Sequence, residues 1–186
     1  MLLTRCILLV RYFQKSYLKR RYSKYLESAG AKLMSTLIKS INTETGLSDE
    51  ALKSCLDEFI ATKAASAKKI LILPPDITRF YSRAGQISAY LYEKLASSAE
   101  IFFMPALGTH DPMSTEEIHM MFGTGIPLEK FLPHFWRTDV QKLGEIPRER
   151  MSELSNGKLD CTMDVAVNKR LLTGEWDLII SVGQVV

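Results

Sequence analysis

"ILILPPDITRFYSR", residues 70–83, opens on four consecutive aliphatic residues and closes on Asp76, Thr78 and Arg79, with two prolines between. A short, continuous apolar run of this kind is the pattern of a strand covered on both faces, as in a parallel sheet. "SRAGQISAYLYEKLASSA" (82–99) follows with helical periodicity, and "EIFFMPALGTH" (100–110) is a second apolar run that ends in Gly108, Thr109 and His110. The order strand, helix, strand implies a parallel pair joined by a right-handed crossover. "WDLIISVGQVV" (176–186) adds a third buried-type strand. The fold class expected is α/β, with a parallel, Rossmann-like sheet.

Upstream, "TGLSDEALKSCLDEFIATKAA" (45–65) carries Ser48 as an N-cap, acids in the first turn, and apolar residues at helical spacing. Downstream, Ser114 precedes Glu116 and Glu117 and Gly123 closes the run, which predicts a helix between them. Residues 124–146 read as extended with turns. "PRERMSELS" (147–155) and "VNKRLL" (167–172) read as short helices around a strand at "KLDCTMDV" (158–165). No internal repeat or low-complexity tract is present.

The 186 residues suit one domain with a sizeable core. The net charge of +3 is uneven: residues 1–40 hold nine Lys or Arg against one acid, Glu27, so this leader is +8 and residues 41–186 are −5. A mildly acidic body gives no general field for nucleic acid, and no stretch approaches the length of a membrane span. The chain divides into a basic leader, 1–40, and an α/β domain, 41–186. The leader fits a disordered or mis-started segment, an organelle-targeting sequence, or a basic helix at a membrane surface or partner. Cytoplasmic localisation is expected, with a mitochondrial one as the alternative that the leader raises. Cys6, Cys55 and Cys161 show no metal or redox spacing and read as buried thiols of a reducing compartment.

In an open parallel sheet, ligands bind beyond the carboxyl ends of the strands. There the three strands offer Asp76, Thr78 and Arg79, then Gly108, Thr109 and His110, then Gly183 and Gln184. Arg79 can grip a carboxylate or phosphate through its planar fork. Asp76 can orient that guanidinium or accept from a ligand hydroxyl, and His110 can move a proton near neutral pH. The bland alternative is a turn with a surface ion pair beside an ordinary loop histidine. His119 and His134 read as packing or solvent-facing residues, and three scattered histidines define no metal site.

"DITR" (76–79), "ALGTHDPMSTEEI" (106–118) and "VNKRLLTGEWDLIISVGQVV" (167–186) together resemble the amino-terminal half of the lactate racemase family, whose members use a nickel-pincer nucleotide. The resemblance covers about residues 45–186. It implies a racemase or epimerase of 2-hydroxy acids that works by hydride transfer. His110 would be one of two general bases, and Asp76, Ile77, Thr78 and Arg79 would hold the cofactor, with Arg79 also at the substrate carboxylate. Asp111 stands where the family usually has a basic residue, which bears on substrate choice. Family members continue past "GQVV" with a Pro-His pair, an anchoring lysine, a metal-ligating histidine and a second domain. The resemblance therefore implies a domain incomplete at its carboxyl end and inactive alone. The partners expected are a small organic acid and either a carboxy-terminal half or a second copy joined through an open edge of the final strand. The rival reading is a non-catalytic module for a nucleotide or organic anion.

Overall fold

The computed structural model describes residues 48–183, together with the backbone of residues 6–7, 11–14 and 40–41. The rest of the leader and Gln184 lie outside the described residues. Among the described residues the central sheet has four strands: β4 (Lys69–Leu73) lies between β5 (Glu100–Phe103) and β8 (Leu178–Ser181), and β2 (Arg11–Gln14) pairs with β8 on its far side. The strands β5, β4 and β8 are parallel, with Ile70 opposite both Ile101 and Leu178 and Ile72 opposite both Phe103 and Ile180. β2 runs antiparallel to β8, Arg11 against Ser181 through Gln14 against Leu178. The short strands β1 (Cys6–Ile7) and β3 (Ser40–Ile41) pair with each other.

Alternation along the strands builds two unequal layers. Ile70, Ile72, Ile101, Phe103, Leu178 and Ile180 share one face with the apolar sides of three helices, α1 (Asp49–Phe59), α2 (Ala84–Leu95) and α3 (Thr115–Phe122). On the other face, Leu71 and Ile179 pack with Met104 and Trp176, a thinner cover. Continuous burial of Ile70, Leu71 and Ile72 is what an unbroken aliphatic run on a central strand dictates. The helices start where their caps stand. Ser48 accepts from the Ala51 N–H, and Ser114 with Glu117 forms a reciprocal capping box that fixes the start of α3. α2 and α3 approach so closely that a Cβ on Gly85 would lie 1.9 Å from the Met121 carbonyl oxygen, so only glycine fits there.

Residues 140–168 leave the sheet as an arm: β6 (Val140–Ile146) pairs antiparallel with β7 (Met163–Asn168), and α4 (Arg148–Leu154) lies between them. The expected strand at 158–165 thus begins later and runs to Asn168, where α5 (Lys169–Thr173) starts.

Two expectations need correction. The edge of β8 is not open between Leu178 and Ser181, because β2 occupies it; self-association through that edge has no unpaired ladder to use there. Cys161 is exposed and Cys55 only half-buried, so neither is a fully buried thiol. Their places on an arm and on a helix flank explain this. Cys6 has no described side chain.

Candidate functional site at the carboxyl ends of β4 and β5

Parallel pairing carries the chain ends of β4 and β5 forward together. Beyond the strands proper, the Ala106 N–H donates to the Pro74 carbonyl at 2.7 Å, and Pro75 bridges Ala106. Two loops, 74–79 and 104–110, therefore leave the sheet side by side. In the first, Asp76 caps a short 3-10 helix, Ile77–Ser82, and its Oδ1 accepts from the Thr78 N–H at 3.1 Å and the Thr78 hydroxyl at 2.5 Å. In the second, Gly108 takes a φ of +60°, a left-handed turn, and the His110 N–H donates back to the Leu107 carbonyl at 3.0 Å. The turn brings the His110 ring against Asp76, with Nδ1 2.6 Å from Oδ2.

This contact sets the chemistry of the pair. Asp76 is only 5% exposed, whereas the His110 side chain is 57% exposed. Burial alone would raise the Asp76 pKa, but hydrogen bonds from Thr78 and His110 outweigh it and hold the carboxyl below its usual 3.8. An ionised carboxylate only accepts, so Nδ1 of His110 carries a proton, and in the neutral ring the lone pair is on Nε2. The arrangement presents a solvent-facing base whose orientation is fixed from behind.

Of the residues singled out by sequence, Asp76, Thr78 and His110 come together. Arg79 sits beside them on the exposed turn, with a φ of −110° that kinks the short helix, and its guanidinium has no hydrogen-bond or ion-pair partner among the described residues. The expected Asp76–Arg79 pairing is absent; Asp76 is committed to Thr78 and His110 instead. Ile77 points inward, half-buried against the main core. Gly183 follows the end of β8, where the Val182 N–H donates to the Leu73 carbonyl at 3.0 Å. His119 is half-buried on α3.

Sequence reasoning did not foresee the contact between His134 and Asn168. The amide of Asn168, a residue 3% exposed, meets Nδ1 of His134 at 2.8 Å, and Asn168 also caps α5 through Oδ1. The signal available was an asparagine directly before a helical run, which reads as an N-cap; nothing in the spacing tied it to a histidine 34 residues away.

The residues fit an anionic nucleotide in part. A free guanidinium on an exposed turn suits a phosphate or carboxylate, whereas the Asp76 carboxylate has little surface left to offer. Among the described residues, no group of three or more His, Cys, Asp or Glu is placed to hold a metal ion, and no helix is long and apolar enough to cross a membrane.

Comparison with known proteins bears on the fold and the family. A crystal structure of a protein from Thermotoga maritima is similar at 26% identity and a TM-score of 0.59, over 70% of this chain and 32% of that one. The chain thus spans about a third of the length of the solved protein it matches. No curated protein matches. The model of the lactate racemase N-terminal domain matches residues 27–186, which takes in both loops and all three parallel strands. With most of its length so matched, the chain belongs to the lactate racemase N-terminal domain family.

Proposed function

We propose that this chain is the amino-terminal part of a nickel-pincer nucleotide-dependent racemase or epimerase of small 2-hydroxy acids, and that it supplies one of the two bases. The observation that carries the proposal is the Asp76–His110 contact at the carboxyl ends of adjacent parallel strands, in a chain of this family. When bound, the cofactor supplies the hydride acceptor. His110 Nε2 takes the proton from the substrate 2-hydroxyl, which lets the carbinol carbon become a planar keto carbon. Asp76 holds the ring and stabilises the imidazolium formed by that transfer. Arg79 binds an anionic oxygen, either of the substrate carboxylate or of the nucleotide phosphate, and the backbone of Ile77 and Thr78 lines the approach.

Racemisation needs a base on each face of the carbon. His134 cannot be the second, since its Nδ1 accepts from Asn168 and its other nitrogen carries the proton. The chain alone should therefore bind the cofactor without racemising lactate. The test is to titrate purified chain with the nickel-pincer nucleotide by absorbance, then add enantiopure D- or L-lactate with and without a candidate carboxy-terminal partner and follow optical rotation. Saturable binding that weakens roughly 10- to 100-fold in Arg79→Ala, with turnover only after mixing, is expected. Undiminished binding in that variant, measured under the conditions in which the wild-type chain binds, with the carboxy-terminal partner present if the chain alone takes up none, would remove the 76–79 loop from the site.

A further inference from the structure

We infer that Thr78 serves His110 rather than the cofactor: its hydroxyl pins the Asp76 carboxylate so that Oδ2 holds the His110 ring by its Nδ1–H and leaves Nε2 to act as the base. The two carboxylate oxygens divide the work. Oδ1 accepts from the Thr78 N–H at 3.1 Å and from the Thr78 hydroxyl at 2.5 Å, whereas Oδ2 meets Nδ1 of His110 at 2.6 Å. The last torsion of an aspartate is broad and roughly two-fold. Two donors converging on Oδ1 stop it with Oδ2 toward the ring.

Helix capping does not account for the hydroxyl. An N-cap aspartate starts its helix by accepting from a backbone N–H, here that of Thr78. The hydroxyl bond is additional to the cap and shorter than it. Burial pushes the Asp76 carboxyl up, and of the groups that bring it below its usual value the Thr78 hydroxyl leads, ahead of His110 and the Thr78 N–H. The same bond takes the Thr78 side chain out of anion binding. A hydroxyl has one proton to donate. With that proton on Asp76, only lone pairs remain for a ligand, and an ionised phosphate or carboxylate is itself an acceptor. Arg79 is then the side chain of 76–79 left to meet an anion. Thr78 is a positioning residue, acting on substrate only through Asp76 and His110. That Nε2 is a base rests on the racemase reading; the orientation of the ring does not.

Thr78→Val keeps the backbone cap and the side-chain shape without the hydroxyl, and Thr78→Ser keeps the hydroxyl. The full chain is labelled at the imidazole nitrogens, with His119 and His134 as references in the same spectra. Wild type and Thr78→Ser should show the neutral His110 ring with its proton on Nδ1. Thr78→Val should move the ratio of the two tautomers at least about 5-fold toward Nε2–H. Uptake of the nickel-pincer nucleotide, with the carboxy-terminal partner present if the chain alone takes up none, should stay within about two-fold in Thr78→Val. In the mixed enzyme that variant should lose about 100-fold in kcat on lactate with KM little changed, and Thr78→Ser should restore most of it. The Thr78 hydroxyl proton of the wild-type chain should be protected from exchange, a reading that depends on no variant folding. A freely exchanging hydroxyl proton, an unchanged His110 tautomer in Thr78→Val, or a loss of nucleotide uptake in that variant as large as in Arg79→Ala would each overturn the inference. The expected spectra with no nucleotide uptake even beside the partner would leave the positioning role standing and remove the racemase reading.

Discussion

At the residue scale, Asp76 serves structure and chemistry at once. Its carboxylate is buried and accepts three hydrogen bonds, two from Thr78 and one from His110. Because its folded pKa lies below the ordinary value, the stability it contributes is fully present above about pH 4 and is lost as pH falls through the folded pKa. Asp76→Ala should cost about 2 kcal/mol at neutral pH and flatten the acid limb of the stability curve; urea melts between pH 2 and 7 measure both. An acid limb of unchanged shape in the variant would show that another carboxylate governs it. Asp76, Thr78, Arg79 and His110 were legible in the sequence because they follow apolar runs that must be strands. Their pairing was not, since residues 34 positions apart meet only through strand order. The Asp76–Arg79 pair suggested by proximity along the chain fails for the same reason: a closer, better-aimed donor reaches Asp76 across the sheet.

At the element scale, helix caps and apolar periods were readable, and the three parallel strands and three core helices lie where those patterns put them. The arm was only half legible, because exposed strands lack the apolar alternation that marks a core face; five of the seven β6 residues are exposed, and Gln141, Lys142 and Glu145 interrupt its apolar positions. The crossing of α2 and α3 gives a sharp prediction. Gly85→Ala drives a Cβ into the Met121 carbonyl and should destabilise by about 3 kcal/mol, read by thermal or chemical denaturation. The leader gives another. Removing residues 1–20 takes away β2 and bares the β8 ladder, so the shortened chain should melt about 3 °C lower and sediment as larger species with rising concentration. Unchanged melting and a concentration-independent mass would mean that β2 adds nothing in solution.

At the scale of the whole molecule, a well-layered sheet carries a lightly supported arm. One face of the arm gathers Ile146, Met163 and Val165, while Lys142 bridges Asp164 and Glu145 on the other. A two-stranded ribbon is marginal by itself. Amides of β6 and β7 should therefore exchange with solvent at least about 100-fold faster than those of β4, in a native-state hydrogen-exchange experiment. Equal protection would show that the arm folds as one unit with the sheet. The central position of β4 has a separate bearing on how the protein is made. β5 follows β4 closely in the chain, but the partner on the other side, whose Asp177 carboxylate receives the Lys68 and Lys69 N–H groups, arrives more than 100 residues later. At ribosomal speeds that interval is roughly 5–20 s. For that time the most apolar strand of the nascent chain has one bare flank, so the step most exposed to misassembly during synthesis is the wait for β8.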